Sequence, residues 1–235
     1  FDGSLWSQGI LPMDTFNSLM EYRKTKAPKY KSELVNKDWN KLRGSIKDHG
    51  MRNSNTMAIA PTATIGYING VEQSIEPNYS MLFVYENKSG NFYIMNEHFV
   101  SDMKASGLWV PEIISMIKQA DGDVSLLNGV LPDWIKDKYK TAFDRDMFKL
   151  IECNAVRQKW IDQGISFNLY NKGTSLKYLN DVYMAAWKAG LKTTYYLRNR
   201  GATKVEKSVQ TSNEEEETEE IKACSILDPG CESCQ

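Results

Sequence analysis

The chain has 235 residues, with 29 Lys and Arg against 30 Asp and Glu and a net charge of −1. That balance gives no general attraction to nucleic acid or to an anionic membrane surface, and no apolar run approaches the roughly 18 residues a spanning helix needs. With 41% hydrophobic and 25% charged residues, the composition is that of a globular protein with one substantial core or two small ones, and no signal-peptide pattern opens it. A cytoplasmic location is the expectation, with no nucleic-acid or membrane partner. Phe1 stands where a methionine starts a gene product, so either the start was removed or the sequence is one piece of a longer product.

From Phe1 to about Asn53 the pattern is helical. "FNSLMEYR" and "KDWNKLRGSIKDHG" carry apolar residues at helical spacing, and Gly50 after His49 is placed as a C-cap. "SMLFVYE", the turn "NKSG" and "NFYIMNE" predict two strands of a hairpin. Helices return from Ser101 to about Thr194 in "EIISMIKQA", "LPDWIKDKYKTAF", "DRDMFKLIECNAVRQKWIDQ" and "SLKYLNDVYMAAWKAG". "GISFNLY" and "KTTYYLRNR" are strand candidates, the second starting just past the helix-ending Gly190. Strands separated by helices predict an α/β domain. Beyond about Gly201 no apolar period remains, and a run of glutamates from Glu214 to Glu217 reads as a solvated, disordered spacer. The predicted organisation is a domain over 1–200 and an acidic tail over 201–235.

Three stretches have chemical content. In "APTATIGYING", Pro61 fixes chain direction, and Thr62 and Thr64 add hydroxyls beside successive backbone N–H groups. A helix starting there favours an anion such as phosphate, although the pattern matches no Walker-type loop and a Thr-rich helix cap has the same spelling. In "TTYYLRNR", Tyr195 and Tyr196 are adjacent. In a strand they point to opposite faces as ordinary packing residues, while a stacked pair can relay an electron with its proton. The terminal "CESCQ" has the C-x-x-C spacing of a dithiol that closes on itself, with Cys224 upstream of Cys231 and Cys234. Zinc competes for those thiols but wants four ligands, and the two histidines, His49 and His98, lie far upstream with no metal spacing. Cys153, on the helix "FKLIECNAVRQKW", is expected to be a buried, inert small hydrophobe.

Taken in order along the chain, these stretches resemble the C-terminal part of the large, catalytic subunit of ribonucleotide reductase. The resemblance runs through "GSLWSQGILPMDT", "LRGSIKDHGMRNSNTMAIAPTATIGYINGVEQSIEPNY", "RQKWIDQGISFNLY" and "GLKTTYYLRNR" to "CESCQ". It implies the C-terminal half of a ten-stranded α/β barrel with a flexible C-terminal tail, and reduction of ribonucleotides to 2′-deoxyribonucleotides by a radical mechanism. Pro61, Thr62, Ala63, Thr64 and Ile65 match the loop that holds substrate phosphates. Tyr195 and Tyr196 match the radical-relaying pair, a feature of class I rather than of the cobalamin-dependent class, which stays open as an alternative. Cys231 and Cys234 match the tail dithiol that reduces the active-site disulfide and is itself reduced by thioredoxin or glutaredoxin. The stretch from Tyr196 to Cys231, about 35 residues, spans roughly 30–35 Å as a flexible chain, enough to shuttle between two stations.

The same resemblance implies partners. The family's radical cysteine, its redox-active cysteine pair and the assisting Asn and Glu come from upstream sequence, so an N-terminal part of the large subunit is required and this chain is inactive alone. A small subunit is expected to carry the metal-radical cofactor, with none bound directly by this chain. The alternative from another class is a non-catalytic binding module with a zinc-binding cysteine tail.

Overall fold

The computed structural model describes residues 1–26, 38–87, 90–173 and 175–199. The chain divides into Phe1–Val205 and Glu206–Gln235, and every described residue lies in the first unit. The predicted tail over 201–235, with Cys224, Cys231 and Cys234, lies outside the described residues.

Helix α1 (Pro12–Tyr22) begins with proline at its first position, where a missing N–H costs nothing, and the Asp14 carboxylate accepts from the Leu11 N–H at 2.9 Å. Arg43 clamps that same carboxylate from α2 (Trp39–His49) at 2.8 and 3.0 Å. Helix α2 stops at Gly50, whose φ of 71° is the cap anticipated from sequence. Trp6, Leu11 and Ile46 form a small core between these elements, and Trp39 stacks on Trp160.

A second core surrounds the hairpin. Strands β1 (Leu82–Asn87) and β2 (Gly90–Met95) pair antiparallel, as anticipated, from Leu82 opposite Met95 to Asn87 opposite Gly90. Helices α4 (Glu97–Ala105), α5 (Pro111–Gln119) and α6 (Asp133–Lys138) bring Phe99, Met103, Ile117 and Ile135 against Met81 and Leu82. Helix α6 is shorter than "LPDWIKDKYKTAF" predicted. Thr141 and Asp144 cap each other across a single 3₁₀ turn at Ala142–Asp144, which ends the helical run.

The third core is a β–α–β unit. Helix α7 (Met147–Gln158) leads to β3 (Leu169–Asn171), then α8 (Leu176–Lys188) crosses to β4 (Leu197–Asn199), which lies parallel to β3. Parallel neighbours need such a helical crossover, and the arrangement is the α/β pattern the sequence predicted. Met147, Ile151, Ala155, Phe167, Leu169, Val182 and Ala186 fill the space between. Gly190 ends the α8 region at φ 89°, and a Cβ there meets Met20 Sδ at 2.5 Å and Phe16 at 2.7 Å. Only glycine allows both that turn and that contact with α1.

One expectation fails. Cys153 is exposed, not buried. The buried stripe of α7 is Ile151, Asn154, Ala155 and Gln158, at the i, i+3, i+4 and i+7 spacing of one helix face, which leaves Cys153 on the outer face. The two polar members disguise that stripe in the sequence. Asn154 Nδ2 donates to the Leu150 carbonyl at 3.0 Å and Gln158 Nε2 to the Gln163 carbonyl at 2.8 Å, so both are buried with partners.

Candidate functional site

The site is organised by one segment, residues 165–171, flanked on both sides. At its start Ile165 forms a parallel bridge with Ile59, and the Ser166 N–H donates to the Ile59 carbonyl at 3.0 Å. At its far end β3 pairs with β4. Between the two, the Phe167 N–H turns back to the Ile165 carbonyl at 2.8 Å, which is why "GISFNLY" forms a strand only over Leu169–Asn171. The result is three parallel lanes, 57–59, 165–171 and 195–199, staggered like neighbouring staves of a barrel wall.

The first lane is anchored by Asp162. Its carboxylate accepts from Thr56 N–H (2.8 Å), Thr56 hydroxyl (2.9 Å), Met57 N–H (3.1 Å) and the Trp6 indole (2.7 Å). Burial pushes this carboxyl up, but those four donors outweigh it and hold its pKa below the usual range. Lys192 Nζ donates to the Ile161 and Asp162 carbonyls, closing the knot from the other side.

The anchored lane delivers the predicted phosphate loop. Helix α3 (Ala63–Asn69) does start within "PTATIG", as the anion reading required. Thr62 precedes it in the left-handed region at φ 45°, and its hydroxyl accepts the Ser74 N–H at 2.7 Å. That bond fixes the loop and leaves the hydroxyl proton able to donate. The first intrahelical bond runs from the Gly66 N–H to the Thr62 carbonyl at 2.7 Å, so the Ala63, Thr64 and Ile65 N–H groups precede the ladder. All three residues are exposed, while Pro61 and Thr62 are half-buried. Gly66 is buried, and a Cβ on it lies 2.8 Å from the Val71 carbonyl oxygen, so the chain returning after α3 needs glycine there.

The third lane holds the tyrosines. The strand predicted over "KTTYYLRNR" begins only at Leu197, so Tyr195 and Tyr196 precede β4 and do not alternate across a sheet. Their rings instead lie in contact at a 48° tilt, with centroids 4.1 Å apart, and the Tyr195 hydroxyl donates to the Tyr196 hydroxyl at 3.3 Å. That bond pushes the Tyr195 phenol up, while Arg198 opposes the shift. Each tyrosine is pinned through its backbone: Tyr195 N–H to Phe167 carbonyl and Leu169 N–H to Tyr196 carbonyl, both 2.8 Å. The rings are 44% and 51% exposed, enough for a second molecule to reach them.

Sequence reasoning missed the groups behind this pair. Asn168 Oδ1 accepts the Tyr196 N–H at 3.3 Å, and the Asn168 N–H donates to Glu76 Oε1 at 2.9 Å. The Arg198 guanidinium lies over the Tyr196 ring, 4.7 Å from its centroid. Burial raises the Glu76 carboxyl to about 7, against the pull of the Asn168 N–H, the Tyr170 hydroxyl, Arg157 and Arg198. Tyr170 is itself pushed well above the phenol range by burial and then by the Glu76 charge. The available signals were a buried-register asparagine in the apolar "ISFNLY" and a glutamate beside proline in "SIEPN". His49 and His98 are both exposed, on α2 and α4. Among the described residues no helix is long and apolar enough to cross a membrane.

Parallel lanes joined by a helical crossover, with an exposed helix start on one and an exposed aromatic pair on another, have the build of an α/β-barrel wall. A family model described as the ribonucleotide reductase barrel domain matches residues 1–197, and the chain belongs to that family. It is 43% identical over its whole length to the ribonucleoside-diphosphate reductase subunit alpha of Chlamydia muridarum, covering 24% of that protein. It is 36% identical to the corresponding subunit of Helicobacter pylori, over 89% of this chain and 22% of that one. Among solved structures, the class Id ribonucleotide reductase alpha subunit of Actinobacillus ureae superposes with a TM-score of 0.55 at 27% identity, covering 83% of this chain and 36% of that chain. The chain thus spans about a quarter of the length of the curated relatives it matches.

Proposed function

We propose that this chain is the C-terminal part of the large subunit of a class I ribonucleoside-diphosphate reductase. In this reading it makes 2′-deoxyribonucleotides only together with an N-terminal part, which brings the radical cysteine, and with a radical-generating small subunit. The observation that carries the reading is the Tyr195–Tyr196 pair, in ring contact and joined hydroxyl to hydroxyl at 3.3 Å. The match of the chlamydial subunit across the whole chain, and the class of the Actinobacillus subunit, support it.

The chemistry follows from the contacts. A metal-radical cofactor in the small subunit supplies the oxidising equivalent. When Tyr196 is the phenoxyl, the Tyr195 hydroxyl gives it one electron and the proton of their shared hydrogen bond. Tyr196 is then a phenol again and Tyr195 the radical, with no net charge moved. Such an exchange needs the two oxygens in hydrogen-bond contact and the rings held still, and the backbone bonds to Phe167, Asn168 and Leu169 hold them.

Substrate phosphates bind at the start of α3. The Ala63, Thr64 and Ile65 N–H groups and the Thr62 hydroxyl are the donors, and the helix dipole adds about 0.3–1 kcal/mol of attraction for an anion. Cys231 and Cys234 re-reduce the active site after each turnover and are restored by thioredoxin or glutaredoxin. Thiol–disulfide exchange needs only that a thiolate reach a disulfide sulfur.

Reconstitution tests the proposal. Deoxynucleotide product is expected when the chain is combined with an N-terminal part, a small subunit and a reductant, and not when the N-terminal part is omitted. Product from the chain and small subunit alone contradicts it.

A further inference from the structure

Glu76 is two hydrogen bonds from the backbone of Tyr196. Its Oε1 accepts the Asn168 N–H at 2.9 Å, and Asn168 Oδ1 accepts the Tyr196 N–H at 3.3 Å. Its other oxygen, Oε2, is enclosed with no partner at good hydrogen-bond geometry among the described residues, while the Tyr170 hydroxyl acts on the carboxyl from one side. A carboxyl group buried this deeply is costly, and packing alone does not require a glutamate there.

The charges around it connect it to the tyrosines a second time. Arg198 acts electrostatically on Glu76, and its guanidinium also lies 4.7 Å from the Tyr196 ring centroid. The same cation acts on Tyr195. One positive charge is therefore divided between a carboxyl group and a contacting pair of phenols.

We propose that Glu76 is a positioning residue for the Tyr195–Tyr196 pair: one carboxyl oxygen orients Asn168 and through it Tyr196, and the group's charge sets how strongly Arg198 engages the Tyr196 ring. The inference rests on the radical-relay reading of that pair. A cation is attracted to the electron-rich face of an aromatic ring, so it opposes removal of an electron from that ring. An ionised carboxylate draws the guanidinium and offsets its field, whereas a neutral one leaves the full charge on the phenol.

The groups facing Glu76 come from three elements besides its own. They are the Asn168 N–H and the Tyr170 hydroxyl on the 165–171 segment, Arg157 on α7 and Arg198 on β4. Tyr170 is held protonated by burial and by the Glu76 charge. Burial raises the Glu76 carboxyl to about 7, so its charge changes around neutral pH. With rising pH it ionises, relieves Tyr196 of the cation and eases its oxidation.

The test separates this inference from the function it builds on. Tyr196 is replaced in the full chain by 4-fluorophenylalanine, which keeps the ring under Arg198 and cannot ionise, and its fluorine resonance is followed across neutral pH. A titration step with a midpoint near 7 is expected. The step should vanish in Glu76→Gln, which keeps an oxygen for the Asn168 N–H but not the charge, and shrink in Arg198→Lys. No step in the parent chain, or the same step in Glu76→Gln, overturns the proposal. None of this depends on catalysis. In the reconstituted complex, Glu76→Gln should then lose the rise of kcat through neutral pH with KM unchanged. An unaltered kcat profile there, with the fluorine step abolished, overturns Glu76's part in the relay.

Discussion

The core around the hairpin and the core around α7, β3 and α8 are built from similar apolar residues but treat polar groups differently. In the hairpin core the interior is Met81, Leu82, Phe99, Met103, Ile117, Val124, Leu131, Ile135 and Tyr139. The buried Ser80 beside it is satisfied by the Leu82 and Asp121 carbonyls, both at 2.8 Å. The other core admits Asn154, Gln158, Asn168 and Asn171 to its interior, keeps the carboxyl of Glu76 buried beside it, and leaves two tyrosines half exposed. The first region keeps to the packing rules by pairing its buried polar groups, including the fully buried Asp123, which accepts from the Ser125 N–H at 3.0 Å. The second departs from them where the candidate site lies, and such local conflicts are where function is to be sought.

The largest expected change in stability is on the regular side. Phe99 is buried and packs edge-to-face on Tyr139 at 5.1 Å. Phe99→Ala should cost about 3–5 kcal/mol in chemical denaturation. A loss under 1 kcal/mol would mean that the hairpin core is not the supporting frame described.

Glu76→Gln sharpens the contrast, because its effect should depend on pH. The folded carboxyl is raised from 4.5 to about 7. Between those values the unfolded chain has released this proton and the folded chain keeps it, so the group's contribution is complete below the lower value and is lost as pH rises through the upper one. The loss reaches about 3 kcal/mol. Glutamine removes that slope, so the variant should gain stability relative to the parent as pH rises from 5 to 8, measured by urea midpoints. A difference independent of pH would contradict the burial argument. The depressed Asp144 and Asp162 carboxyls act in the opposite sense, losing stability only as pH falls into the acid range.

The smallest effect belongs to Cys153. As an exposed residue on the outer face of α7, it should tolerate serine within about 0.5 kcal/mol. A larger loss in thermal denaturation would restore the buried position that the sequence pattern first implied.

How much of this was legible follows from the physics of each signal. The hairpin, helices α1, α2, α5 and α8, and the cap at Gly50 were readable because period, turn residues and caps are local. The helix start within "PTATIG" was readable for the same reason. The short extents of β3 and β4 were not. They depend on which residues find a partner, and the turn from Phe167 back to Ile165 interrupts what composition presents as one strand. The tyrosines were singled out by adjacency, but their ring-to-ring contact was hidden because it arises from lying before β4 rather than in it. The Glu76–Asn168 link joins residues 92 positions apart, and no local pattern announces such a pair.

The central claim is that Tyr195 and Tyr196 relay a radical, and Tyr196→Phe tests it most directly. The substitution keeps the ring, its contact with Tyr195 and the Arg198 contact, and removes only the hydroxyl that accepts the Tyr195 hydrogen bond. In the reconstituted complex the account predicts deoxynucleotide formation reduced to background, with the melting temperature and substrate affinity of the parent. A variant that keeps most of the parent's turnover contradicts it.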